Sequence, residues 1–201
     1  GGAAREATPY ASTKAANTEL VKKVGDGEKL PYAITYFYNV YGSGERAGIY
    51  GTVVEAFKQM YLQGEPLAVT SPGTQRRNFT HVDDIVDGLI LVGEKGQGDE
   101  YGLGNERTFS ILEVATLFLP AQAGRGEIVM MPPRAGSRKG SALDASRSRS
   151  LGWHTKRDLE TYIKEFIASH TRGEKKEKRV LVFSTPFFPV QGPAEETLID
   201  L

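Results

Sequence analysis

The sequence predicts an α/β fold, and three observations carry that prediction. Short runs rich in β-branched and aromatic residues alternate with longer runs whose apolar residues recur at helical spacing. Gly and Pro clusters punctuate the boundaries between them. The chain has 201 residues, 39% hydrophobic and 25% charged, the balance of a folded, soluble chain long enough for one domain and part of another.

Residues 10–24 form the first predicted helix, with Pro9 in its first turn and Gly25-Asp26-Gly27 as its stop. Residues 32–40 read as a buried strand. Tyr41-Gly42-Ser43-Gly44 reads as a turn, too short for a dinucleotide-binding fingerprint. A helix follows over 52–63, with Val53, Phe57, Met60 and Tyr61 on one side, then a short strand over 67–70 and a loop at Pro72-Gly73. Residues 78–82 read as a strand leading into a helix over 84–92, with Asp83 suited to its N-cap. A further strand is expected over 101–103. Ser110 and Glu113 have capping-box spacing at the start of a helix that ends near Leu119. Residues 127–131 are strand-like. The last helix is expected over 155–169, where Leu159, Tyr162, Ile163 and Phe166 form an apolar stripe and Trp153 and Tyr162 are expected in the core.

Lysine plus arginine and aspartate plus glutamate both total 25, so the formal net charge is zero. That argues against nucleic acid or an anionic membrane as the main partner, because both select a basic excess. With no cysteine there can be no disulfide and no thiolate metal site, which fits a cytoplasmic protein. No apolar run approaches the roughly 20 residues that span a bilayer. No metal site is expected, since His81 lacks a suitably spaced His or carboxylate partner and reads as a packing residue. The first residues carry neither an initiator Met nor an apolar signal stretch and lead at once into a motif, so the start reads as a truncation.

That motif is Tyr10-Ala-Ser-Thr-Lys14. Residues i and i+4 share a helix face, so a phenol and an ammonium can address one ligand. The cation favours phenolate and lowers the tyrosine pKa from its ordinary value of about 10. Such a tyrosine can take a proton from a sugar hydroxyl as the carbon is oxidised. Taken alone the spacing is weak.

Its neighbours add to it. Pro9-Tyr10-Ala-Ser-Thr-Lys14-Ala-Ala-Asn-Thr-Glu19 resembles the catalytic helix of the extended short-chain dehydrogenase/reductases, the sugar-nucleotide epimerases and dehydratases. Asn39-Val40-Tyr41-Gly42-Ser43-Gly44 is similar to that family's Asn-Val-Tyr-Gly-Pro-Gly element, with Ser43 for the proline. Arg77-Asn78-Phe79-Thr80-His81-Val82-Asp83-Asp84 is similar to its Arg-Asp-Phe segment, with Asn78 for the aspartate. Tyr101-Gly-Leu-Gly-Asn105, Pro133-Arg134-Ala135-Gly136 and Leu151-Gly152-Trp153 follow in the family's order, so that the resemblance covers about residues 5–170. The strand before Asn39 departs from it, with Tyr36 where an arginine is frequent.

The resemblance implies the carboxy-terminal part of a Rossmann-type fold with its small substrate-binding α/β subdomain, truncated at the amino terminus. It implies NAD as cofactor and a nucleotide-diphosphate sugar as substrate. Tyr10 would be the catalytic acid/base, and Lys14 would tune it and bind the nicotinamide ribose. Tyr38 and Val40 would lie against the cofactor, and Asn39, Arg77 and Arg134 would hold the substrate diphosphate or nucleotide. Read without the resemblance, Asn39 could equally close a turn, and Arg77 and Arg134 could be surface charges. Asp83 and Asp84 favour helix capping over acid–base work. The parent is expected to be a UDP-hexose 4-epimerase, with a 4,6-dehydratase or a UDP-glucuronate decarboxylase as alternatives using the same pair. A non-catalytic nucleotide-sugar binding module is the rival of another class. The family pairs through two helices, so a homodimer that uses residues 10–24 is expected, and the 201 residues alone are expected not to turn over.

Three units are expected: 1–171 as the epimerase/dehydratase part, 172–179 as a charged linker, and 180–201 as an incomplete second α/β unit. Residues 179–195 resemble the opening strand and loop of two-Rossmann glycosyltransferases, so a fused glycosyltransferase is expected, the alternative being a last strand of the first domain.

Overall fold

The computed structural model describes residues 9–37, 39–46, 48, 51–119, 127–133 and 144–171. The expected linker and second unit at 172–201 lie outside them.

The first element is α1 (Pro9–Glu28). It runs through Gly25 and Gly27, where the sequence predicted its end. Gly25 serves close approach instead, since a Cβ there would lie 2.2 Å from the Tyr32 ring. The stop comes at Lys29, whose left-handed φ of 58° lets the Leu30 N–H reach the Gly25 carbonyl at 2.8 Å, a Schellman-type closure. The strand predicted over 32–40 is broken into β1 (Ala33–Tyr36) and β2 (Val40–Tyr41). Asn39 between them has φ 47°, and a left-handed residue cannot continue the pleat.

Next come α2 (Val53–Gln63), β3 (Leu67–Thr70), β4 (Arg76–Asn78), β5 (Thr80–His81), α3 (Val82–Lys95) and β6 (Gly98–Gly102). They are followed by β7 (Thr108–Ser110), α4 (Ile111–Phe118), β8 (Ile128–Met131), α5 (Ser146–Ser150) and α6 (Leu159–Thr171). Among the described residues the strands join in twos. β1–β6, β2–β5 and β3–β8 are parallel, and β4–β7 is antiparallel.

Helix starts follow side-chain chemistry. Thr52 caps α2 through the Val54 N–H, and Ser110 with Glu113 forms the predicted capping box on α4, both reciprocal bonds present. The cap expected of Asp83 belongs to His81, whose Nδ1 accepts the Asp83 N–H at 3.2 Å. Asp84 does not cap either. It is fully buried and accepts the Lys156 and Arg157 backbone N–H groups, each at 3.1 Å, and the Arg157 guanidinium at 2.8 Å. Because Asp84 claims those two N–H groups, α6 begins later than the predicted residue 155. Asp158 then caps it through the Thr161 N–H at 2.9 Å.

Two apolar clusters result. The first joins α2, β3, α4 and α6 through Val54, Phe57, Val69, Phe118 and Ile163, with Tyr162 and Phe166 packed against it. The second joins α3, β6 and the chain after α5 through Ile85, Val92, Tyr101, Leu103 and Trp153. Each such buried side chain contributes about 1.5–3 kcal/mol of transfer free energy. The Trp153 indole also donates to the Asp84 carbonyl at 2.8 Å.

Candidate active site

Three contacts orient α1 against the strands. Gly25 packs on Tyr32, just before β1. Thr18 lies close enough to Tyr36, the last residue of β1, to act on its hydroxyl. Lys22 pairs with Asp99 of β6 at 2.6 Å. The helix therefore runs antiparallel to β1, and its first turns project past the carboxyl end of that strand. At 1.5 Å per residue, Lys14 lies about 6 Å beyond Thr18 along the axis, and the Tyr10 backbone about 6 Å further. Ligands of open α/β folds bind in that region, outside the carboxyl ends of the strands. Lys14 is exposed there. An exposed ammonium one helical turn along α1 from a tyrosine is a donor set that suits a nicotinamide ribose.

Asn39 leaves β1 at the same end. Its carboxamide donates to the Asn78 carbonyl at 3.2 Å, and its own carbonyl accepts the Thr80 N–H at 3.4 Å. Asn39 is thus held to β4 at the residue after Arg77, which is half-buried, lies opposite Phe109 and donates to the Arg76 carbonyl at 2.8 Å. Val40 pairs with Thr80 and packs half-buried against the second cluster. Tyr38, Arg134 and the Tyr10 side chain lie outside the described residues.

Electrostatics separate the tyrosines. Burial pushes the Tyr41 hydroxyl far up, and the neighbouring carboxylates of Asp158 and Asp84 push it further, so Tyr41 stays a neutral phenol. Tyr36 is also raised, by burial first and then by its bond to Asp99. Burial alone would raise the Asp99 carboxyl. Lys22, the Glu100 N–H and Tyr36 outweigh it and hold Asp99 below the ordinary carboxylate range. This ion-paired cluster locks α1 to the strands at the Tyr36 position.

Asn78, Thr80 and Asn105 were not among the residues expected from the sequence at this site. Asn78 is buried, and its carboxamide donates to the Asn105 carbonyl at 2.5 Å, while the Asn105 N–H reaches the Thr80 hydroxyl at 3.0 Å. Phe79 is the apolar residue between Asn78 and Thr80, and these two short polar side chains beside it are the signal that could have found them, whereas nothing local marks Asn105.

The fold is that of an α/β protein of Rossmann type. The chain belongs to the NAD dependent epimerase/dehydratase family, whose model matches residues 2–104. It is 31% identical over 147 residues to the low-salt glycan biosynthesis protein Agl12 of Haloferax volcanii, covering 72% of this chain and 46% of that protein. It is similar to the crystal structure of UDP-glucose 4-epimerase with UDP-glucose from Thermotoga maritima, with TM-score 0.74 and 27% identity, over 80% of this chain and 52% of that one. The Thermus thermophilus UDP-glucose 4-epimerase complex with NAD matches with TM-score 0.71 and 25% identity, over 86% and 58%. The chain spans about half the length of the curated relatives it matches. Among the described residues no helix is long and apolar enough to cross a membrane.

Proposed function

We propose that the full-length protein is an NAD-dependent enzyme acting on a nucleotide-diphosphate sugar, specifically a UDP-hexose 4-epimerase that works through a 4-keto intermediate. The observation that carries this reading is the direction of α1, which projects the Tyr10–Lys14 turn past the carboxyl end of β1, where Asn39 and Arg77 also gather. Two similar solved structures are UDP-glucose 4-epimerases, one with UDP-glucose and one with NAD, and they support the choice of ligands.

Bound NAD would supply the two-electron acceptor for the sugar carbinol at C4. The remaining work falls to this chain. Tyr10 takes the C4 hydroxyl proton and returns it once the opposite face of the ketone has been reduced. Lys14 keeps the phenol acidic enough to do so and donates to the ribose hydroxyls. Asn39, Arg77 and Arg134 offer hydrogen-bond donors to the diphosphate, where guanidinium matches the oxygens as a fork. Tyr41 contributes packing only, because its phenol does not ionise at working pH.

The test is product analysis by NMR after incubating the full-length protein and NAD with UDP-glucose and, separately, UDP-glucuronate. UDP-galactose is expected. Loss of water or of carbon dioxide in place of inversion would reassign the protein to a dehydratase or a decarboxylase. Binding without any product would identify a nucleotide-sugar binding module.

A further inference from the structure

We infer that Asn78 is a positioning residue for the nucleotide-sugar site, acting through Asn39. This rests on the reading that Asn39 touches the diphosphate. Asn39 holds a left-handed backbone, φ 47°, which asparagine tolerates better than most L-residues and which hydrogen bonds on both its side chain and its carbonyl hold here. Its surroundings form a closed circuit of hydrogen bonds through three segments. The Asn39 carboxamide donates to the main-chain carbonyl of Asn78 at 3.2 Å. The Asn78 carboxamide donates to the Asn105 carbonyl at 2.5 Å. The Asn105 N–H donates to the Thr80 hydroxyl at 3.0 Å, and the Thr80 N–H returns to the Asn39 carbonyl at 3.4 Å.

The two polar side chains inside the circuit are buried, Asn78 at 7% and Thr80 at 1% exposure. Neither can exchange its partner for water at no cost, so the circuit holds as a unit. Asn78 also follows Arg77 directly on β4. Fixing the Asn78 side chain to the chain after β6 thereby sets two groups at once: the carbonyl that clamps Asn39 and the strand that carries Arg77. Asn78 touches no ligand in this scheme. It sets the angle of the residue that does.

The experiment is a double-mutant cycle on UDP affinity, measured by calorimetry with the full-length protein. Asn39→Ala tests the site itself. Asn78→Ala and Thr80→Val each open the circuit at a different bond, so if one variant fails to fold the other still carries the test. Each is expected to weaken UDP binding about three- to tenfold, the span of one hydrogen bond. Combined with Asn39→Ala, each is expected to add little or nothing. Wild-type affinity in Asn78→Ala and Thr80→Val, beside a weakened Asn39→Ala, would overturn the positioning role and leave the site intact. Full additivity with Asn39→Ala would also overturn it, because Asn78 would then act by another route. Loss of the underlying reading looks different: the wild type fails to bind UDP, or Asn39→Ala binds as the wild type does.

Discussion

Tyr41 is fully buried, and its hydroxyl has no hydrogen-bond partner among the described residues. Its ring meets His81 and Tyr162 edge-on, with centroids 5.3 and 5.1 Å away, so the ring has a packing role that the hydroxyl does not share. Tyr41→Phe should therefore leave urea stability unchanged or raise it by about 0–1 kcal/mol, because a buried unpaired hydroxyl is removed while the ring stays. A loss of several kcal/mol would show that the hydroxyl has a partner after all. At this scale the sequence was most legible where chemistry is local. The Tyr10–Lys14 spacing and the Asn39 and Arg77 positions could be picked out because each sits in a recognisable short motif. The left-handed turn at Asn39 was hidden inside a run of β-favouring residues. The part played by Asn78 was hidden too, since its partner Asn105 lies far along the chain.

Elements show the same division. The Ser110–Glu113 capping box needs only four consecutive residues and was readable. The backbone N–H of Ser110 is the main influence that lowers the Glu113 carboxyl below its ordinary value, with Arg76 adding to it. A lowered folded pKa means the contribution is present above the unfolded value, about 4.3 for Glu, and is lost as pH falls through the folded value. Denaturant stability of wild type and Glu113→Gln should thus differ at pH 7 and converge on acidification toward pH 3. An unchanged gap at pH 3 would contradict the cap. The work of Asp84 was not readable, because Lys156 and Arg157 are brought to it only by the fold. Asp84→Ala leaves two backbone N–H groups without their acceptor and the Arg157 guanidinium with only Asp83, at 3.2 Å, and should cost about 3 kcal/mol. That is the low end of the usual range, since Arg157 is 40% exposed. Gly88→Ala attacks the same joint from the other side. A Cβ there would lie 2.6 Å from Leu103 and 2.7 Å from the Trp153 indole nitrogen, so it should displace Trp153 and quench its bond to the Asp84 carbonyl.

Across the whole molecule, the Asp84–Arg157 joint ties the two clusters together. Asp84 belongs to α3 in the second cluster, and Arg157 leads into α6 in the first. Trp153 is the single tryptophan and reports only the second cluster, whereas far-UV circular dichroism reports both. The two signals should melt together in the wild type and separate in Asp84→Ala, with Trp153 fluorescence changing first. Coincident melting in the variant would show that the clusters are coupled elsewhere. The α/β class was visible in the alternation of elements, but this coupling was not, because it depends on a carboxylate and a guanidinium 73 residues apart.

The most direct measurement compares wild type and Tyr10→Phe in the full-length protein, recording UDP-glucose affinity and turnover in parallel. Removing only the phenolic oxygen should leave affinity within about threefold and reduce turnover by at least about 100-fold, the loss of a general acid/base. Turnover equal to the wild type would take Tyr10 out of the chemistry and, with it, the reading of α1 as the catalytic helix.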